Sequence, residues 1–143
     1  MKKLIIITII LIAGGTAGFG QHALVSAYTE TTVSGAEYGA GVAFESKSMW
    51  GLGGFLQQGF QHVDENTSPA RFYGLHLHAP VARDKKLAFF ATLRTGLVND
   101  KFVVVVPGFE TRMNVSGRLT ASVGGAMRKG YPSLSARIGF RIF

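Results

Sequence analysis

Two histidines two residues apart, His76 and His78, are the first candidates for chemistry. Alternate residues of a strand share a face, so two imidazoles at this spacing can supply two metal ligands. No third ligand is identifiable beside them, and polar packing inside a fold is the plainer reading. A second constellation gathers His62, Asp64, Glu65 and Ser68, the residue types of a serine esterase, within one short stretch. The glycine pairs Gly53-Gly54 and Gly124-Gly125 have no following helix to turn N–H donors on a phosphate, so they read as strand glycines. With no cysteine in the chain, disulfides and thiolate metal sites are excluded, and no cofactor is expected.

The remaining candidates are charged, and they need elements to hold them. Charged residues are only 16% of the 143 and mean hydropathy is +0.24, more apolar than a small water-facing domain. Residues 1–20 open with Lys2 and Lys3, continue through an apolar run at 4–13 and end in small residues. That pattern predicts a cleaved Sec signal peptide with cleavage before Gln21, because the apolar run is half the length a spanning helix needs. Residues 21–143 form the second predicted unit. Losing Lys2 and Lys3 with the leader lowers the net charge from +7 to +5.

Beyond the leader no apolar run approaches the length of a transmembrane helix, so membrane insertion must be by strands. Period two is clear. Tyr38, Ala40, Val42 and Phe44 alternate with small or acidic residues, and Trp50, Leu52, Gly54 and Leu56 oppose Gly51, Gly53, Phe55, Gln57 and Gly59. Tyr73, Leu75 and Leu77 oppose Phe72, Gly74, His76 and His78, and Leu87, Phe89, Ala91 and Leu93 oppose Ala88, Phe90, Thr92 and Arg94. Leu119, Ala121, Val123, Gly125 and Met127 form a further row, and Leu134, Ala136, Ile138, Phe140 and Ile142 the last. Weaker segments at 22–30 and 102–112 bring the number to eight, each about as long as a strand that crosses a bilayer.

Eight such segments with short connections predict an all-β, up-and-down antiparallel transmembrane β-barrel, since only a closed sheet satisfies its backbone in lipid. With the termini on the periplasmic side, residues 63–69 form the largest external loop. Large apolar residues then meet lipid, and Gly, Ser, Thr and charged residues fill a narrow interior. Tyr28, Tyr38, Trp50, Tyr73, Tyr131 and Phe143 suit interfacial aromatic girdles.

Parity puts Glu30, Glu37, Glu45 and Glu110 inside, with Arg94, Arg112, Arg118, Arg137 and Arg141. Enclosed charges need partners, so an internal ion-pair network is expected, bridging the first and last strands where the barrel closes and blocking a pore. Arg128 and Lys129, with Lys85 and Lys86, are left to touch anionic lipid head groups. The basic balance therefore does not imply nucleic acid.

The exported start, the eight alternating segments and the ending Ala136-Arg137-Ile138-Gly139-Phe140-Arg141-Ile142-Phe143 resemble the small outer-membrane barrels of the OmpX and OmpA-barrel type, as found in Bacteroidota. The resemblance implies a Gram-negative outer-membrane location, contact with lipopolysaccharide and phospholipid, and delivery by the barrel-assembly machinery. It also makes Phe140, Ile142 and Phe143 the C-terminal assembly signal. One departure is that Arg141 and Gly139, not the apolar row, share the parity of Phe143. Some such barrels are lipid-modifying enzymes, one carrying a His-x-Ser-Asn element that this chain lacks. The leading expectation is a non-enzymatic barrel with a structural or accessory role, alone or as a subunit of a larger envelope complex for secretion, transport or assembly. It would pack against other outer-membrane proteins at small residues such as Gly54, Ala91 and Ala121. The alternatives are a lipid-modifying enzyme using His62, His76 or His78, and a soluble periplasmic lipocalin-like barrel with its apolar residues turned inward.

Overall fold

The computed structural model describes residues 22–33, 35–59, 70–128 and 130–142. The leader, the stretch with His62 and Ser68, Lys129 and Phe143 lie outside the described residues. Eight strands follow in order: β1 (His22–Thr32), β2 (Gly35–Glu45), β3 (Gly51–Gly59), β4 (Arg71–Arg83), β5 (Leu87–Val98), β6 (Phe102–Asn114), β7 (Leu119–Arg128) and β8 (Tyr131–Arg141). Each pairs antiparallel with its sequence neighbour, and β8 returns to β1 to close the barrel. Closure leaves no sheet edge unpaired, which is the condition for crossing hydrocarbon with strands. The protein is thus an all-β transmembrane-type barrel.

Side-chain alternation fixes which face each residue takes. On β8, Leu134, Ala136, Ile138 and Phe140 point out, and Ile138 is 62% exposed. On β7, Val123 is 64% exposed between the buried Ser122 and Gly124. Leu52, Leu56, Leu75, Leu77 and Phe89 complete the apolar exterior, an arrangement opposite to that of a soluble barrel binding an apolar ligand inside. Tyr38, Trp50, Tyr73 and Tyr131 also face out, but Tyr28 does not. It shares parity with Ser26 and Glu30 on β1, so its ring is buried inside the barrel, 4% exposed, and is no girdle residue.

Turn chemistry closes the hairpins. Asn99 and Asp100 have φ of 52° and 60°, and Lys101 N–H bonds Val98 O at 3.1 Å, a two-residue turn of the primed kind that matches strand twist. Asn99 Oδ1 also accepts from Arg71 N–H at 2.8 Å, tying this turn to the start of β4.

Two prolines sit where the ladder tolerates them. Register shifts between Pro80 and Ala82 mark a bulge in β4, which absorbs the missing N–H of Pro80. The β6–β7 ladder begins only at Gly108↔Ala126, so Pro107 is paired with Leu93 of β5 alone. The upper part of β6 therefore rises beyond the β7–β8 hairpin.

Candidate functional site: the charged interior

Two groups of charge occupy the lumen. The first is nearer the end opposite the termini. Arg94 from β5 meets Glu30 from β1 across the barrel in a bidentate pair, Nη1 to Oε2 and Nη2 to Oε1, each 2.8 Å. Gln57 from β3 completes the contact: its Oε1 accepts from Arg94 Nη1 at 2.9 Å, and its Nε2 donates to Glu30 Oε2 at 2.8 Å and to Glu37. Ser133 from β8 donates to Glu30 Oε1 at 2.5 Å. Arg128 from β7 pairs with Glu37 Oε2 at 2.6 Å.

The second group lies nearer the termini. Arg112 from β6 bonds Glu45 Oε2 of β2 at 2.5 Å and Glu110 Oε1 at 3.2 Å. His78 Nε2 stands 3.0 Å from the same Glu45 oxygen, and Arg137 Nη1 lies 3.2 Å from Glu110 Oε2. Four carboxylates thus face four guanidiniums, and the interior charge cancels.

Aromatic rings fill the gaps that the pairs leave. Each of these arginines lies near a ring: Arg112 at 4.3 Å from the Phe90 centroid, Arg128 at 4.9 Å from Phe72, Arg137 at 5.0 Å from Tyr28 and Arg94 at 5.9 Å from Phe55. The negative ring face stabilises the cation without adding a charge, and it displaces water from the lumen. Phe55 and Phe72 then pack with Val98, Val104 and Val106 into an apolar cluster.

Two of the glycines make room for interior rings. A Cβ on Gly51 would stand 2.1 Å from His78 Cε1, and one on Gly39 would stand 2.5 Å from Tyr28 Cζ. The absent side chains of Gly39 on β2 and Gly51 on β3 are therefore the seats of the Tyr28 and His78 rings respectively. A cavity of about 10 Å³ remains beside Ser26, Phe55, His76 and His78, room for about one water. His78 Nδ1 is buried without a hydrogen-bond partner among the described residues.

The structure brings Glu30, Glu37, Glu45, Glu110, Arg94, Arg112 and Arg137 into these groups. It leaves out two arginines assigned to them by parity. Arg118 lies exposed in the turn before β7, and Arg141 sits at the rim, bonding Asn114 Oδ1 at 3.3 Å. Arg128 takes the opposite path: its even position on β7 turns it inward to Glu37, away from lipid head groups. Two of the pairs cross the lumen, β1 to β5 and β2 to β6, and a third, Glu37 of β2 with Arg128 of β7, spans the β8–β1 closure between the strands that flank it. Phe140 and Ile142 face outward, and Ile142 N–H bonds Ala23 O at 2.8 Å. The His76 and His78 rings are 5.5 Å apart, and among the described residues no three metal-ligating side chains converge.

No family model and no curated protein matches the sequence. The fold does match solved structures. A de novo designed transmembrane β-barrel superposes with a TM-score of 0.68 at 13% identity, over 86% of this chain and 97% of that one. The N-terminal β-barrel domain of Pseudomonas aeruginosa OprF gives 0.68 at 11% identity, over 87% and 99%. The Yersinia pestis outer membrane protein Ail gives 0.56 at 12% identity, over 85% and 99%. At these identities the likeness is one of fold.

Proposed function

We propose that the chain is a non-enzymatic outer-membrane β-barrel of the OmpA and OmpX kind, structural or accessory in role, whose lumen is plugged by its own side chains. The observation that carries this reading is the division between an apolar outer wall and an interior where four acids meet four arginines. A barrel of about eight strands has an interior that side chains can fill, whereas an aqueous channel needs about sixteen. The structural likeness to OprF's barrel and Ail supports the location. Lipopolysaccharide and phospholipid are then the surrounding partners, and the barrel-assembly machinery inserts the chain after Sec export.

An accessory role within a larger envelope assembly draws support from the outer wall. An apolar groove of about 750 Å³ crosses the wall beside Ala27, Ala121, Val123 and Ala136. Small side chains there let another membrane protein approach closely, as small residues do at helix interfaces in lipid.

The test begins with membrane fractions run on SDS gels with and without heating. A membrane-bound band whose mobility changes on heating is expected, with no stepwise conductance when the protein enters a planar bilayer. A soluble product without a heat shift, or a steady open channel, would contradict the proposal.

A further inference from the structure

The net charge of the barrel is concentrated at one end. Because the interior pairs cancel, they contribute nothing to the basic balance. At the end that carries the termini stand Lys47, Arg83, Lys85, Lys86, Arg118 and Arg141, against Asp84 alone among the exposed described acids there. None of the six forms an ion pair among the described residues. The opposite end carries Arg71 and Lys101 with Asp100 among its described residues, and so is nearly balanced.

These cations also sit at a definite depth. Lys86 directly precedes the outward Leu87, Arg118 precedes Leu119, Arg141 adjoins Ile142, and Arg83 follows Val81, which is 72% exposed. Lys47 shares its turn with Trp50, 54% exposed. A ring of unpaired cations just beyond an apolar wall, with an indole among them, lies where head groups begin.

We infer that the terminus-bearing end is a collar for anionic phospholipid head groups, with Lys47, Arg83, Lys85 and Lys86 forming its Trp50 side. The phosphate of a phosphatidylglycerol-type lipid meets ammonium and guanidinium groups that form no ion pair among the described residues. Its acyl chains lie on Leu52, Leu77 and Leu87 below. This inference rests on the outer-membrane reading and goes beyond it by naming the lipid class and the end that selects it.

Trp50 is the only tryptophan in the chain, so its fluorescence reports the lipids at this collar. The folded protein is reconstituted with brominated phosphatidylglycerol or brominated phosphatidylcholine at equal mole fraction. The expected result is a relative association for the anionic lipid of about threefold or more, falling with added salt. The quadruple change Lys47→Gln, Arg83→Gln, Lys85→Gln and Lys86→Gln brings the preference near unity. Arg71→Gln with Lys101→Gln at the far end leaves it unchanged. Equal quenching by both lipids in the unaltered protein, or a preference that survives the quadruple change, would overturn the collar while the heat shift upholds the barrel. Absence of quenching by either lipid would overturn the collar and the membrane reading together.

Discussion

At the residue scale, the interior works as a set of mutual obligations. Glu30 is 1% exposed and receives hydrogen bonds from Arg94, Gln57 and Ser133 at once. Removing Arg94 strands that carboxylate in a low-dielectric lumen. Arg94→Met is therefore expected to cost about 3–5 kcal/mol in urea unfolding from lipid vesicles. Glu30→Gln together with Arg94→Met should cost less than the two single changes added, since the partners depend on each other. Gly51→Ala tests the seat of His78: the new methyl displaces the ring from Glu45, and a loss of about 1–3 kcal/mol is expected in the same assay.

Parity made much of this visible in the sequence but could not supply height or reach. Period two alone sends Glu45, Arg94 and Arg112 inward, and it would have sent Arg128 inward had that strand been followed one residue further. The same rule misplaced Arg118, because parity has no meaning past the end of a ladder, and β7 begins at Leu119. Gln57, bonded to Glu30, Glu37 and Arg94, carried the only signal a neutral residue can, an inward position between Phe55 and Gly59. Which acid meets which arginine depends on the stagger of all eight strands, a property no single segment encodes.

At the element scale, each strand has one wall facing out and one facing in, and the two respond differently to charge. Ile138, midway along β8 and outward, is expected to tolerate arginine poorly: Ile138→Arg should cost about 2–4 kcal/mol if it lies near the bilayer midplane. Pro107→Val belongs to the same scale. Because Pro107 has no β7 partner to which an N–H would be lost, the change should shift unfolding free energy by less than about 1 kcal/mol. The weak alternation at the sequence of β6 has a physical source here, since its inward Val104 and Val106 pack into the apolar cluster with Phe55, Phe72 and Val98 while Val103 and Val105 face out, so that both faces of the strand are apolar.

At the scale of the whole molecule, a small barrel whose described interior is filled by paired charges and aromatic rings offers its surroundings chiefly two surfaces, the wall and the rims. The wall is apolar and the interior is neutral, so the basic excess is left to the terminus-bearing rim. Association through the groove near Ala121 and Ala136 would be seen as a co-purifying membrane protein in mild detergent, reduced by Ala121→Phe without loss of the heat-shifted band. A single species of monomer mass that is unaffected by this change would contradict an assembly built on that groove.

The absence of cysteine from the chain lets single labels read directly which face of β8 meets lipid. Single cysteines placed in turn from residue 134 to residue 140 of β8, spin-labelled and reconstituted in vesicles, report contact with lipid-dissolved oxygen at each position. A two-residue period is expected, with maxima at Leu134, Ala136, Ile138 and Phe140 and minima at Ser135, Arg137 and Gly139. Maxima on the odd positions, or a flat profile, would contradict a barrel that turns its apolar wall to lipid and its charges inward.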